Sequence, residues 1–520
     1  MHSSLKKRLV TWIPIYVVLA ISLILRLWNL PGRLRLVWDD EGIFMYQAWR
    51  LLSGDLPYKN LFLADTPLSQ YLLGIVFKIF GIGPLQARGF IAIIGTLSVF
   101  LVFLIGYEAY DFWTGFLAAT VFSFDPIVFN AARSFRPDYV VCFFELLAIL
   151  FLVKALKGRG KRYRWLCGAT LGLALLTKLV AAFLIPPIIL SAIMFKGLKK
   201  GIKMLLEIAS ATVVVLAPFL LLFLSTAPND FFFDVYLYHL LKHYPWNYGL
   251  TVEEKIALIA RVLTSRLALV YPALISAVYG LIRREKYTIS FTLTFLFTMS
   301  FFFMKYFWEH YFTLTIATLS ILAGSIAYHI PRLLSQIRIK RAENLGVSFK
   351  VSPIRFIPKI RDKRRLASIS TALILTGLIV GAALPPCIRY DIQVVRAGEP
   401  RLSGTMRGIE LIRRYTKPGD IILTDVPFFA VMTGTKIPDK LNDLSMLRMT
   451  PGLVKAEELI KSIEENNVKV VAFMTQGHRH IRAMPDYQVF YDYLRKNGFK
   501  LAGGFYEPTG FAYVQVYVRQ

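Results

Sequence analysis

Little in this chain is acidic, and almost none of it is cysteine. Asp and Glu together number 33 against 61 Lys and Arg, a formal net charge of +28. Of the three cysteines, Cys142 and Cys167 lie inside apolar runs and Cys387 follows the last one. With no CxxC pair and no Cys/His pattern of zinc-ligand spacing, neither a disulfide framework nor a structural zinc site is signalled. No small-residue cleavage site follows the first apolar run, Leu9 to Trp28, which is too long for a signal-peptide core and reads as a retained helix. An internal repeat is also missing, and paired repeats are the usual mark of secondary transporters.

What the chain has in abundance is apolar length. It is 56% hydrophobic, with a mean hydropathy of +0.52. Runs of about 16–22 apolar residues recur through its first three quarters, the length a helix needs to cross a hydrocarbon core about 30 Å thick. A net charge this basic suggests nucleic acid at first sight. The basic residues, however, sit in short clusters between apolar runs, as the positive-inside rule expects of a membrane protein, and no nucleic-acid partner is expected.

The expected spans begin with 9–28 after Lys6, Lys7 and Arg8, which place the N-terminus in the cytoplasm. They continue at 85–106, 113–129 and 139–156, with two more sharing Trp165–Phe195 and parting near Lys178. The remainder fall at 204–224, 267–282, 287–304, 310–328 and 366–384, about eleven in all. This assignment gathers the clusters at 157–164, 196–203, 283–286 and 331–366 on one side. The last of these reads either as a solvated loop drawn to anionic headgroups or as a docking site for a partner. Long loops at 30–84 and 225–266 are left on the other side. Within the first of them, Glu41 to Leu52 and Leu68 to Phe80 have helical spacing, end near Gly54 and Gly81, and read as interfacial helices.

Beyond the last span the character changes. Asp420–Asp425 and Val468–Met474 read as short buried strands, Glu457–Glu465 and Tyr487–Asn497 as helices, and Gly504–Val518 as a terminal hairpin. The expected organisation is a membrane domain over 1–388 and a small α/β domain over 389–520, the latter extracytoplasmic because the span count is odd.

Chemistry is expected at the loop entrances. The first outer loop opens Val37-Trp38-Asp39-Asp40-Glu41-Gly42. One reading is a helix N-terminus, where Asp40 caps and Glu41 favours the macrodipole. A compatible reading makes Asp40 a general base that takes the proton of an acceptor hydroxyl. Arg133-Ser-Phe-Arg136-Pro-Asp138 supplies two cations that suit a phosphate, or that snorkel to headgroups and pair with Asp138. Lys178 stands among apolar residues, which makes it a functional candidate by default; the plainer reading is the end of a span. His239 and His243 are spaced i, i+4 as two metal ligands on one helix face would be, but no third ligand is signalled, and substrate contact is the better expectation. The group Trp308-Glu309-His310-Tyr311 falls on the same side of the membrane.

The order of first span, Asp40-Glu41, interfacial helix, Gly54-Asp-Leu-Pro-Tyr58 and Asp65-Thr-Pro-Leu68 resembles the protein O-mannosyltransferase and aminoarabinose-transferase group of GT-C glycosyltransferases. The resemblance is good over the first 200 residues and weaker beyond. It implies a polytopic α-helical membrane fold and an inverting transfer, at the outer membrane face, of a sugar (mannose or another hexose) from a polyprenyl- or dolichyl-phosphate carrier. It also implies Asp40 as the catalytic aspartate with Glu41 as its neighbour, and Lys178, in a Leu-Thr-Lys segment, as a contact of the donor phosphate. Asp65 matches an acid that precedes a Pro-Pro pair in the family; here Thr66 replaces the first proline. Arg136 and Arg133 are expected to stabilise the departing phosphate, and Glu41, Asp65, Asp138, His239 and His243 to orient substrates or the basic residues. No cofactor is expected. The acceptor is a protein, a lipid or a glycan. The rival readings are a transporter or flippase of lipid-linked sugars and a non-catalytic subunit of a glycosylation complex.

Overall fold

The computed structural model describes residues 2–30, 39–243, 251–306, 308–333, 358–396, 404–474, 481–506 and 513–520. Trp38, residues 334–357 of the basic segment and residues 507–512 of the expected hairpin lie outside them.

The chain is mostly helical. In order come α1 (His2–Leu27), α2 (Asp39–Leu52), α3 (Leu68–Phe80), α4 (Pro84–Ala109), α5 (Phe112–Phe124), α6 (Pro126–Ala131), α7 (Pro137–Leu156), α8 (Lys161–Thr177), α9 (Ile185–Lys196) and α10 (Leu198–Thr226). Short turns α11 (Pro228–Phe232) and α12 (Tyr238–Leu241) precede α13 (Val252–Thr264), α14 (Leu267–Ile282), α15 (Lys286–Thr298), α16 (Phe312–Gly324) and α17 (Pro358–Arg396). Every segment expected to span is helical. Among the described residues, six stretches are long and apolar enough to cross a membrane alone: Pro84–Ala109, Pro137–Leu156, Leu179–Lys196, Leu198–Thr226, Glu309–Leu333 and Leu366–Arg389. Thr11–Leu27 and Phe112–Phe124 are shorter apolar helices, and α13 meets α14 at a 93° bend.

Helices pack closely where the sequence is small. A Cβ at Gly168 would strike the Ile208 carbonyl, so α8 and α10 touch backbone to backbone. The break at Lys178 expected from sequence is present: α8 stops at Thr177, Lys178 is extended (φ −163°, ψ 135°), and a 3-10 segment leads into α9 with prolines in its first turn. The stretch expected as a span over 113–129 is instead two helices. Asp125 divides them by accepting from the Ile127 and Val128 amides as the cap of α6.

The C-terminal unit carries a four-stranded sheet of β1 (Ile422–Thr424), β2 (Val470–Met474), β3 (Phe499–Tyr506) and β4 (Tyr513–Arg519), in the order β1-β2-β4-β3. β1 and β2 run parallel with Leu423 beside Val471, and the other pairs are antiparallel. Helices α18 (Gly404–Tyr415), α19 (Pro427–Thr433), α20 (Met446–Met449), α21 (Ala456–Glu465) and α22 (Tyr487–Lys496) complete it. α17 runs unbroken to Arg396, so the boundary expected at 388/389 falls inside a helix.

This unit is latched to the first loop. The Tyr46 hydroxyl accepts from the Ile437 amide at 2.7 Å. Asn442 accepts from the Phe62 amide at 2.8 Å and donates to its carbonyl at 3.0 Å. Lys440 donates to the Tyr58 carbonyl and lies 2.9 Å from Asp234, which a π-helical turn over Phe233–Leu237 carries into the interface.

Candidate active site

Asp40 and Glu41 are consecutive in the first turn of α2, and a helix rotates about 100° per residue. Their carboxylates therefore part company. Glu41 turns into the protein, where it meets Arg88 of α4 through bonds of 2.7, 3.0 and 3.1 Å and also accepts from the Phe135 amide at 3.0 Å. Both partners are buried, at 1% and 2% side-chain exposure. Asp40 faces a cavity of about 1040 Å³ and its side chain is 48% exposed, with Arg136 at 3.5 Å.

Arg136 is the residue before Pro137, which favours the extended backbone observed there (φ −143°, ψ 145°) and lets α7 begin at once. That places Arg136 and Asp138 on either side of a helix start, both on the cavity wall. Arg136 lies 3.0 Å from His310 Nδ1, and His310 Nε2 is 3.8 Å from Asp138. Lys178 donates to Asp138 at 2.8 Å, lies 3.7 Å from Asp65, and sits over the Tyr311 ring at 4.9 Å. Six residues expected from sequence, Asp40, Asp65, Arg136, Asp138, Lys178 and His239, thus line one space.

His239 Nε2 is 2.8 Å from the Ala64 carbonyl, so that nitrogen carries the hydrogen and Nδ1 accepts from Lys242 at 3.0 Å. Burial pulls the Lys242 ammonium down to about 8, with Lys178 and Lys305 adding repulsion. Burial, and then the charge of Lys242, also lower His239.

Besides Glu41, which is turned away from the cavity, two expected residues stand apart. Arg133 is buried, donates to the Trp28 carbonyl and lies over the Phe129 ring at 5.2 Å, outside the cavity that holds Asp40. His243 does not share a helix face with His239, because α12 ends at Leu241; its ring lies 3.5 Å from the Tyr306 hydroxyl. Among the described residues no group of three or more His, Cys, Asp or Glu is placed to hold a metal ion.

The site residues not expected from sequence were legible in it to different degrees. Arg88 had a signal, a lone charge at the start of a long apolar helix. Lys242 and Asp443, which also line the cavity, had none. A second cavity of about 850 Å³ adjoins the first and shares Arg136, Arg261, Glu309 and His310 with it. Its wall adds Arg88, Arg133 and Arg266, and its floor is apolar, with Leu269, Ile379 and Ala382.

The profile of the family described as dolichyl-phosphate-mannose-protein mannosyltransferase matches residues 64–223, under a third of the chain. No curated protein matches the chain by sequence. Among solved structures, ArnT from Cupriavidus metallidurans bound to undecaprenyl phosphate aligns over 96% of this chain and 97% of its own, with a TM-score of 0.64 and 15% identity. The oligosaccharyltransferase AglB from Archaeoglobus fulgidus, in complex with an inhibitory peptide and a dolichol-phosphate, aligns over 97% and 74%, with a TM-score of 0.54 and 15% identity. The arabinofuranosyltransferase AftD from Mycobacteria aligns over 97% of this chain and 40% of its own, at a TM-score of 0.50 and 12% identity. At these identities the likeness is one of fold. The chain has the GT-C architecture its sequence resembles, a multi-pass membrane domain followed by a small unit with a sheet.

Proposed function

We propose that this chain is an inverting glycosyltransferase that takes its sugar from a polyprenyl- or dolichyl-phosphate carrier and delivers it to a hydroxyl. One observation carries the reading: a half-exposed carboxylate, Asp40, shares a cavity with the cations Arg136, Lys178 and Lys242. A lipid-phosphate donor has a good leaving group already, so it needs positive charge at the phosphate and a base at the acceptor. Asp40 takes the acceptor proton as its oxygen attacks the anomeric carbon. The bond from that carbon to the phosphate oxygen breaks on the opposite face, and the carrier phosphate leaves toward Lys178 and Lys242. Asp65 and Asp138 hold Lys178 in place, and His310 does the same for Arg136.

The second cavity supports two-substrate chemistry, since it gives an acceptor its own approach to the wall formed by Arg136 and His310. The family profile favours mannose or another hexose as the sugar. The cavity lies on the non-cytoplasmic side: Asp138 begins α7 and Lys178 follows α8, whereas the basic clusters from Lys157 to Arg164 and from Lys196 to Lys203 lie at the opposite helix ends. The C-terminal unit shares that side, and the N-terminus faces the cytoplasm.

The test is transfer from a panel of polyprenyl-phosphate sugars by purified protein, wild type beside Asp40→Asn. Transfer that collapses by about 100-fold or more in the variant, with carrier binding kept, is the expected result. Equal transfer by both removes Asp40 from the chemistry. Carrier binding without turnover by the wild type shifts the reading to a flippase.

A further inference from the structure

The cavity contains one carboxylate that the proposed chemistry leaves idle. Asp443 belongs to the C-terminal unit, lines the same space as Asp40 and Lys178, and is 8% exposed. The cavity's other acids are accounted for: Asp40 lies beside Arg136, Asp65 and Asp138 beside Lys178, Glu309 beside Arg261, and Glu254 closes the capping box that starts α13. Asp443 Oδ1 accepts from the Ser445 amide at 3.0 Å. Its other oxygen has no hydrogen-bond or ion-pair partner among the described residues. A carboxylate oxygen held on a cavity wall without a protein donor of its own is open to the donors of a ligand.

Its position is set with care. Asn442 is bonded both ways to the Phe62 backbone, and Arg448 donates to the carbonyls of Lys440 and Asp443 at 2.9 and 2.8 Å while lying 3.9 Å over the Phe62 ring. Phe62 leads within three residues to Asp65, and Asp65 meets Lys178. The charge of Lys242 is in turn influenced by Asp65, Lys178 and Asp443 together. Asp443 is therefore held on the same frame as the residues assigned to the carrier phosphate, where the sugar attached to that phosphate must lie.

We propose that Asp443 recognises hydroxyl groups of the sugar being transferred, so that the C-terminal unit supplies a specificity residue to the cavity rather than only covering it. The inference rests on the glycosyltransferase reading above. A carboxylate oxygen accepts from sugar hydroxyls through charge-assisted bonds. A buried group of this kind also rejects a ligand that lacks the matching hydroxyl.

The experiment uses the full chain in lipid nanodiscs and measures Kd for bare undecaprenyl phosphate, undecaprenyl-phosphate mannose and undecaprenyl-phosphate glucose. The Asp443→Asn variant keeps an acceptor for the Ser445 amide, and Asp443→Ser, whose hydroxyl can also accept two residues on, serves if the first fails to fold. We expect the wild type to bind at least one sugar-bearing carrier more tightly than the bare one. We expect the variant to lose about tenfold or more of that preference, with the bare-carrier Kd changed less than about twofold. A preference that survives in the variant overturns the role of Asp443 and leaves the enzyme reading standing. A wild type with no preference for sugar-bearing carriers also overturns that role. A wild type that binds none of the three overturns both.

Discussion

Removing Glu41 tests whether the second acid of the pair works on substrate or on the fold. In Glu41→Ala the Arg88 guanidinium, 2% exposed, loses the carboxylate that meets it at 2.7 to 3.1 Å, and the Phe135 amide loses its acceptor. What remains for Arg88 is the Leu30 carbonyl at 3.4 Å. Breaking one side of a buried pair costs about 3–5 kcal/mol because the surviving charge is left uncompensated. That is a large share of the 5–15 kcal/mol or so by which a folded protein is stable. The assay is thermal unfolding in detergent, followed by intrinsic fluorescence, for Glu41→Ala, Arg88→Met and Glu41→Leu/Arg88→Met. Each single variant should melt several degrees below the wild type. The double variant should recover much of the loss, since apolar groups of similar volume replace a buried pair at little cost. A Glu41→Ala protein that melts like the wild type but has lost transfer would refute this reasoning and make Glu41 a participant in the chemistry.

Lys178→Met should weaken the binding of bare polyprenyl phosphate by about 10- to 100-fold, the worth of a charged hydrogen bond, and should also lower the melting temperature because Asp138 is left buried with only the His310 ring, 3.8 Å away, beside it. Adding Asp138→Asn should restore the melting temperature without the affinity, which a titration read beside a melt will show. Lys242, drawn down to about 8 by burial, is charged below that pH and increasingly neutral above it, so donor KM should rise as pH climbs through 8. The same group takes up a proton when the anion binds above pH 8, and Lys242→Met should flatten the profile at the high KM. Lys440→Met should free the C-terminal unit from Asp234 and the Tyr58 carbonyl, seen as faster amide hydrogen exchange in 58–63 and 440–448 with the sheet unaffected.

Length and periodicity carried most of the architecture into the sequence. The end of α3 at Gly81 and the break at Lys178 were legible because each has a local cause: a glycine at positive φ in the first case, and a charged residue inside an apolar run in the second. Other features had no such cause. The pairing of Asp125 with Arg266, 141 residues away in sequence, is one of them, although the break of the third expected span at Asp125 has its own local cause in an aspartate cap ahead of Pro126. The spacing of His239 and His243 suggested a shared face, but the helix that would create that face ends between them. Asp443 was invisible for the same kind of reason, since only the docking of residues 436–448 on Phe62 brings it to the cavity.

Asp40 and Glu41 show how such distant contacts build a reactive site from ordinary helix geometry. A base at the mouth of a cavity must stay half in water, and a half-exposed side chain on a free helix end would wander. Its neighbour removes that freedom: Glu41 ties the first turn of α2 to Arg88 on α4 and to the Phe135 amide, one residue before Arg136. The anchor of the base and the anchor of the cation beside it are thus one carboxylate. Restoring the fold with Glu41→Leu/Arg88→Met should therefore not restore full transfer, because an apolar pair packs without fixing the Phe135 amide. A double variant that regains both the melting temperature and the wild-type kcat would show that Asp40 and Arg136 are positioned by something else.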